Sequence, residues 1–243
     1  WADLSNIYIL TVIFVSIGLG LLGFFDDLLK IKQKNSRGLN SKLKLLGQII
    51  ISFIAIYILS EHSNHQFLNN LYFPFFKNLI FPMGIFFIPF AVFVIVGASN
   101  AVNLTDGLDG LATVPVMLVA LSYTLISYVV GNTIFAEYLK IPYVQNSGEL
   151  SIFCGAIFGS CLGFLWYNAP PAKIFMGDTG SLSLGGSLAA VAIIVKHEIV
   201  LAIIGGLFVL ETVSVIVQVL SFKLTGKRVF MMAPIHHHFE KKG

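Results

Sequence analysis

The sequence has 243 residues, of which 56% are hydrophobic and only 11% are charged, and its mean hydropathy is +0.87. These values exclude an ordinary soluble globular domain and predict an all-α, polytopic membrane helix bundle. The net charge of +3 reflects basic residues in a few loops, so we expect no nucleic acid among the partners.

Seven apolar stretches are long enough to cross a hydrocarbon core, which takes ~20 helical residues. They are predicted at 6–25, 45–60, 80–99, 111–130, 150–167, 182–196 and 199–222. Successive crossings alternate in direction, and only Lys77, Lys140 and Lys196 of the 15 basic residues fall in the loops on one side. The positive-inside rule therefore places the other loops in the cytoplasm.

The chain shows neither an internal repeat nor a low-complexity linker, so residues 1–243 are predicted to form a single integral membrane domain. Its abrupt start at Trp1 and its stop after a basic segment suggest that both natural ends lie outside the sequence. The outer segment 61–77 is predicted to form a hairpin or to lie at the interface, with His62 and His65 solvated. Cys154 and Cys161 are predicted to be buried packing residues.

Asp26 and Asp27 are adjacent at the inner end of the first apolar stretch, and a basic run that includes Lys30, Lys34 and Lys42 follows them. Adjacent carboxylates repel each other unless they share a cation, so the pair indicates a metal or proton-transfer site. The alternative is a charged helix end that anchors the span at the interface.

Asn103, Asp106 and Asp109 are spaced by three residues, so a helical turn would bring them to neighbouring positions on one face. Gly107 and Gly110 permit close backbone approach to a ligand. Such amides and carboxylates suit ribose hydroxyls and a base edge. Calcium is a competing ligand, although the EF-hand pattern with its closing glutamate is absent.

Asp178 lies between Gly177 and Thr179 in a short inner loop, just before a predicted helix whose N-terminus favours phosphate. Magnesium held by Asp178 and by phosphate oxygens fits this pattern, because Mg²⁺ usually takes one or two carboxylates plus substrate. Membrane-embedded aspartyl proteases use a Gly-x-Gly-Asp motif, but Phe175 occupies the outer glycine position here.

His236, His237 and His238 form a histidine run on the basic inner segment after the last span. Adjacent residues cannot easily all bind one ion, so hydrogen bonding to a diphosphate is favoured over a metal site. Glu211 lies within the last span, and a carboxylate there must face protein or a wet cavity.

All four clusters fall on one predicted membrane face, together with nearby lysines and arginines. Carboxylates hold Mg²⁺ and cations hold phosphates, so the combination indicates in-line displacement on a diphosphate at the lipid surface. The basic loops would also attract an anionic lipid headgroup. A secondary transporter is the rival class, but it predicts acids near the bilayer midplane and paired repeats.

These motifs resemble those of the phospho-N-acetylmuramoyl-pentapeptide transferases, also called translocase I, within the polyprenyl-phosphate N-acetylhexosamine-1-phosphate transferase superfamily. The resemblance runs along the whole chain in the family's order, at 25–27, 100–111, 175–181 and 234–240. It implies transfer of phospho-MurNAc-pentapeptide from its UDP carrier to undecaprenyl phosphate, giving lipid I and UMP with Mg²⁺. This is the first membrane step of peptidoglycan synthesis, on the cytoplasmic face of the bacterial inner membrane.

The resemblance also implies roles for individual residues. The catalytic residues would be Asp26, Asp27, Asp178 and His236. Of these, Asp178 and Asp27 would bind Mg²⁺, and Asp26 would be the base that activates the lipid phosphate. The substrate-binding residues on the uridine side and beside it would be Asn103, Asp106, Asp109, Asn168, Phe175 and Gln218, with the Phe175 ring available for stacking. The phosphate contacts would come from Lys34, Lys42, His236, His237 and His238.

A sister transferase that moves GlcNAc-1-phosphate from UDP is the closest alternative, and the histidine run favours the muramoyl enzyme. Direct attack by the lipid phosphate is favoured over a covalent phospho-aspartate, because it needs fewer parts. The resemblance implies a ten-span protein that forms a homodimer. Two earlier spans, with a nucleotide-site lysine, and a last span are therefore expected to lie outside this sequence.

Overall fold

The computed structural model describes residues 2–34, 38–62, 69–76 and 79–243. Predictions that concern His65 and Lys77 lie outside the described residues. All of the residues predicted to form the site are described.

Seven helices in the described part of the chain are long and apolar enough to cross a membrane, which confirms the predicted helix bundle. The spanning helices are α1 (Ile7–Gln33), α2 (Ser41–His62), α3 (Phe87–Thr105), α4 (Thr113–Val130), α6 (Leu150–Asn168), α7 (Gly177–Ile194) and α9 (Gly206–Thr225). The shorter helices are α5 (Thr133–Leu139), α8 (Glu198–Ile204) and α10 (Ile235–Lys242).

Two short strands, β1 (Asn70–Tyr72) and β2 (Ile80–Pro82), pair antiparallel with Leu71 opposite Phe81. The pair lies at the predicted outer hairpin, but β2 takes residues that were predicted to begin the third span. That span instead begins with a 3₁₀ turn at Gly84–Phe86, which runs directly into α3.

Helix α7 lies at the centre of the bundle and packs between α1 and α3. Two thirds of its span (67%) is buried, against 39% or less for each of the other spanning helices. Small residues on α7 permit this close packing, as is common for helices in membranes. On the α1 side, Gly23 lies against the backbone carbonyl of Asp178, where any side chain would clash. The packing therefore fixes Asp178 against α1.

Further predicted boundaries are wrong. Helix α7 begins at Gly177 and not at residue 182, so Asp178 lies in its first turn and not before the helix. The last span was predicted to run unbroken from 199 to 222, but the chain ends α8 at Ile204 and begins α9 at Gly206. Adjacent glycines at 205 and 206 favour this break, since glycine is a poor helix former. Helix α1 also continues to Gln33, so Asp26 and Asp27 lie within the helix, not at its end.

Candidate active site

Asp26 and Asp27, in the C-terminal part of α1, come together with Asp178 at the N-terminus of α7. Each offers a carboxylate oxygen, and these oxygens all lie within 4.8 Å of one another. Two of the acids are adjacent on α1, and the third is in the first turn of α7. The structure thus brings together three acids that the sequence analysis predicted for one site, and we call this group the carboxylate cluster.

Two lysines neutralise the carboxylate cluster. Lys30 Nζ lies 2.6 Å from Asp26 Oδ2, 3.3 Å from Asp27 Oδ1 and 2.9 Å from Asp178 Oδ2. Lys44 Nζ lies 2.5 Å from Asp178 Oδ2. Three carboxylates packed this closely repel one another unless cations lie between them, so the lysines stabilise the cluster.

The sequence analysis chose Lys34 and Lys42 as the phosphate-binding lysines, whereas Lys30 and Lys44 contact the acids. Lys34 caps the C-terminus of α1 with φ 49°, and Lys42 is in the first turn of α2; both are exposed. Lys30 could have been found from its spacing, because residues three and four apart share a helix face. The roles of Lys34 and Lys42 stay predictions.

Asp26 is the buried member of the cluster, with 3% of its surface exposed. Its Oδ1 accepts a hydrogen bond from the backbone N–H of Leu39 at 2.7 Å, and its Oδ2 pairs with Lys30. Oδ1 thus ties α1 to the segment that precedes α2, whereas the Oδ2 pair lies within α1. The assignment of Asp26 as the base that activates the lipid phosphate stays a prediction.

Asp27 ties α1 to the first turn of α7. Its Oδ2 accepts hydrogen bonds from both the backbone N–H and the hydroxyl of Thr179, each at 3.0 Å. Gly177 is the first residue of this turn and has φ +65°, and a Cβ there would lie 2.9 Å from Asp27 Oδ2. Glycine is therefore required for backbone conformation and for the close approach of Asp27.

Asn103 reaches the cluster from α3. Its Nδ2 donates to Asp178 Oδ1 at 2.6 Å and to Ser181 Oγ at 2.8 Å. The predicted single helical face of Asn103, Asp106 and Asp109 is wrong, because α3 ends at Thr105. Only Asn103 is helical, and the two aspartates lie in the turn that follows.

Asp106 and Asp109 bind backbone amides of the loop that leads to Asp178. Asp106 Oδ2 accepts from the N–H of Gly177 at 3.1 Å, and Asp109 Oδ2 accepts from that of Ala172 at 2.8 Å. Burial raises the pKa of Asp106 to about 6, and the negative charges of Asp178 and Asp27 act in the same direction. The sequence analysis assigned both acids to the nucleotide, and that role stays a prediction beside this positioning role.

Asn168 holds the same loop from its other end. The side chain is buried, with Oδ1 accepting from the Thr113 hydroxyl at 2.6 Å and Nδ2 donating to the carbonyl of Ile174 at 2.9 Å. These contacts make Asn168 a positioning residue, and direct substrate binding by it stays a prediction. The loop presents Phe175 with 68% of its surface exposed, so its ring is accessible to a ligand.

The histidine run lies on α10. His236 is buried, and its Nε2 packs against Gly107, beside the Asp106 turn, so tightly that a Cβ at 107 would clash. His237 Nδ1 lies 2.8 Å from Glu240 Oε2. His238 Nδ1 accepts a hydrogen bond from the N–H of Met231 at 3.1 Å, which leaves any ring proton on Nε2. The three rings therefore have different surroundings.

The side-chain amide of Gln218 on α9 is engaged with backbone. Its Oε1 accepts from the N–H groups of Val229 and Phe230 at 3.0 and 2.9 Å, and its Nε2 donates to the Phe230 carbonyl at 3.0 Å. Gln218 therefore shapes the segment before α10, and its predicted place on the uridine side stays a prediction.

Comparison with known proteins gives this arrangement a family. A family model described as glycosyl transferase family 4 matches residues 9–196. A phospho-N-acetylmuramoyl-pentapeptide-transferase of Pelagibacter ubique (strain HTCC1062) is 68% identical over 243 residues, covering 100% of this chain and 67% of the relative. The chain belongs to the phospho-N-acetylmuramoyl-pentapeptide transferase family. A member of that name from Rhodopseudomonas palustris (strain BisB18) is 59% identical over 244 residues, covering 100% of this chain and 68% of the relative.

Within this transferase family member, the glycosyl transferase match at 9–196 contains the carboxylate cluster with Lys30, Lys44 and Asn103. The histidine run lies beyond that match but within the region shared with both relatives. Sequence reasoning missed three contacts of the cluster: Lys30, Lys44 and Thr179. Lys44 and Thr179 carry no usable signal, because helix packing alone brings them to the acids.

Proposed function

We propose that the chain transfers phospho-MurNAc-pentapeptide from UDP-MurNAc-pentapeptide to undecaprenyl phosphate, forming lipid I and UMP. The family membership and the printed names of both relatives support this reaction. The observation that carries the proposal is the meeting of three carboxylates and two lysines at one end of the spanning helices. Carboxylates supply metal ligands and lysines supply positive charge, as cleavage of a diphosphate requires.

We infer that the metal is Mg²⁺, held by Asp27 and Asp178. All donors in the cluster are carboxylate oxygens close enough to share one ion, which suits a hard cation that keeps water and phosphate ligands. When bound, Mg²⁺ would neutralise charge on the diphosphate. Lys30 and Lys44 could then contact phosphate oxygens, which would compete with the carboxylates for the same Nζ groups.

The protein's own residues would orient the reactants. Phe175 would stack on the uracil, and the loop held by Asp106, Asp109 and Asn168 would set the position of that ring. An oxygen of the lipid phosphate would form a bond to the sugar-linked phosphorus while the bond to UMP breaks. Asp26 would accept any remaining proton, although a phosphate monoester is already largely anionic near neutral pH.

We propose a location at the cytoplasmic face of the bacterial inner membrane, which charge and family support. The spanning helices fit a multi-pass membrane protein, and both relatives are bacterial. The excess of basic residues beside the carboxylate cluster supports a cytoplasmic site at the inner membrane. A homodimer remains an expectation from the family resemblance alone.

The test is UMP release by the purified protein with Mg²⁺, undecaprenyl phosphate and either UDP-MurNAc-pentapeptide or UDP-GlcNAc. We expect release with the muramoyl donor alone, and its loss in Asp178→Asn. Asp3→Asn is the matched control, since Asp3 lies outside the cluster and bonds to Ser5. Release with UDP-GlcNAc alone would identify the sister transferase, and release without Mg²⁺ would remove the metal from the proposal.

A further inference from the structure

A second site lies beyond the carboxylate cluster, where α9 ends. A pocket of about 480 Å³ there is lined by Lys223, Arg228 and Lys241, together with Phe222, Met231 and Met232. We propose that this pocket binds the headgroup of an anionic membrane phospholipid. The inference concerns binding only and does not depend on the transferase reaction.

The position of the pocket at the end of a spanning helix supports a lipid ligand. Lys223 is in the last turn of the spanning helix α9, and Arg228 follows just after it. Phe222 and Met231 are 55% and 54% exposed, so apolar side chains stand beside the cations. Only 17% of the α9 span is buried within the described part of this chain. Acyl chains would contact the apolar side chains while the headgroup meets the charges.

The charge of the pocket selects the headgroup. Among the described residues that line it, every charged one is basic. Polybasic clusters at the end of a span attract anionic lipids by about 1 kcal/mol for each Lys or Arg near the surface. A zwitterionic headgroup offers no net charge to these cations, so it should bind more weakly.

Hydrogen bonds hold the backbone that forms the walls of the pocket in place. Gln218 fixes the backbone of residues 229 and 230 through three hydrogen bonds, and the N–H of Met231 donates to His238. The Ser221 hydroxyl donates to the Lys227 carbonyl at 3.0 Å, which ties the end of α9 to the following turn. The segment that carries Arg228 is therefore held against α9 before any lipid arrives.

The experiment measures retention of phosphatidylglycerol by the purified protein. Protein reconstituted in phosphatidylcholine vesicles with and without phosphatidylglycerol is extracted in mild detergent, and bound lipid is quantified by native mass spectrometry. The test variant is the triple change Lys223→Gln, Arg228→Gln and Lys241→Gln. The control variant carries Lys32→Gln, Lys227→Gln and Lys242→Gln, which remove the same charge from exposed residues that do not line the pocket.

We expect the pocket variant to retain at least about tenfold less phosphatidylglycerol, and the control variant to match the parent. Equal losses in both variants would overturn the site, because they would show a general charge effect. Displacement of the lipid by inorganic phosphate alone would show a phosphate site with no lipid selectivity. Displacement by UDP-MurNAc-pentapeptide would instead assign the three cations to the sugar-nucleotide donor.

Discussion

His236 Nδ1 lies 3.1 Å from Glu211 Oε2, and the backbone N–H of His236 lies 3.4 Å from the same oxygen. Both side chains are buried, one on the C-terminal helix α10 and the other inside the spanning helix α9. This pair joins α10 to the bundle and presses the imidazole against Gly107. A carboxylate that is costly in a span thus has a partner that places the histidine run.

Glu211→Gln should therefore destabilise the protein, because an amide replaces the carboxyl group that contacts both the backbone N–H and the imidazole of His236. Leaving a buried polar group poorly paired costs about 1–3 kcal/mol. Glu240→Gln is the matched control, since it removes the carboxylate beside the more exposed His237. In thermal unfolding in detergent, Glu211→Gln should have a lower midpoint than Glu240→Gln. Equal midpoints would show that the buried pair contributes no more to stability than the exposed one.

Lys44→Gln should strengthen metal binding and weaken nucleotide binding. Lys44 competes with any cation for Asp178, so its removal leaves more negative charge for the ion. Even with the dielectric constant of bulk water, a unit charge ~4 Å away contributes about 1 kcal/mol, so we expect a gain of at least about fivefold in affinity for Mn²⁺, measured by electron paramagnetic resonance. Lys32→Gln on the exposed part of α1 should leave the affinity unchanged. Weaker Mn²⁺ binding in Lys44→Gln would contradict a shared metal and lysine site.

Asp109→Ala should loosen the loop between α6 and α7. The variant loses the acceptor for the Ala172 N–H, a hydrogen bond worth about 1 kcal/mol, and so opens the loop several-fold more often. Lys173 lies in this loop and provides a trypsin site. Limited trypsinolysis followed by mass spectrometry should show faster cleavage after Lys173, whereas Asp109→Asn keeps an oxygen acceptor and should stay close to the parent. Identical rates for Asp109→Ala and the parent would exclude this role.

Asp106 should make stability depend on pH. Its pKa of about 6 in the folded protein lies above its usual 3.8, so the folded state binds the proton more tightly than the unfolded state. The stabilising effect of that proton is complete below about pH 4 and is lost as the pH rises through about 6.

Asp106→Asn mimics the protonated carboxyl at every pH. We expect its stability advantage over the parent to be larger at pH 7.5 than at pH 4.5 by about 1 kcal/mol, allowing for partial solvent exposure. Chemical denaturation in EDTA at the two pH values measures this difference. If the stability of the variant minus that of the parent were smaller at pH 7.5 than at pH 4.5, the expected pH dependence would be wrong.

Phe175→Ala should weaken binding of UMP by about tenfold or more, since stacking of a base on an aromatic ring contributes ~1–3 kcal/mol. Isothermal titration calorimetry would measure the affinity. Tyr138→Ala removes an aromatic ring that is 83% exposed on α5, outside the loop before α7, and serves as the control. Unchanged UMP affinity in Phe175→Ala would end the stacking proposal.

The sequence by itself determined the membrane bundle, its seven spans and the clustering of acids at one surface. These features follow from hydropathy and from the cost of placing carboxylates in apolar stretches, both of which can be read residue by residue. The motifs that carry the family resemblance are also local, since each is contiguous in the chain. The contacts of Lys30 with Asp26 and Asp27 could also have been predicted, because they depend only on helical spacing along α1.

Only the tertiary structure decided which partners meet the acids. Lys44 and Thr179 reach the cluster because α2 and α7 pack on α1, and no spacing along the chain encodes that contact. The structure also divided the motif 100–111, since α3 ends at Thr105 and sends Asn103 to Asp178 while the two aspartates hold the following loop. The break at Gly205 and the pairing of Glu211 with His236 likewise depend on packing between helices. Long-range contacts of this kind arise from the fit of helix faces, which a hydropathy pattern does not record.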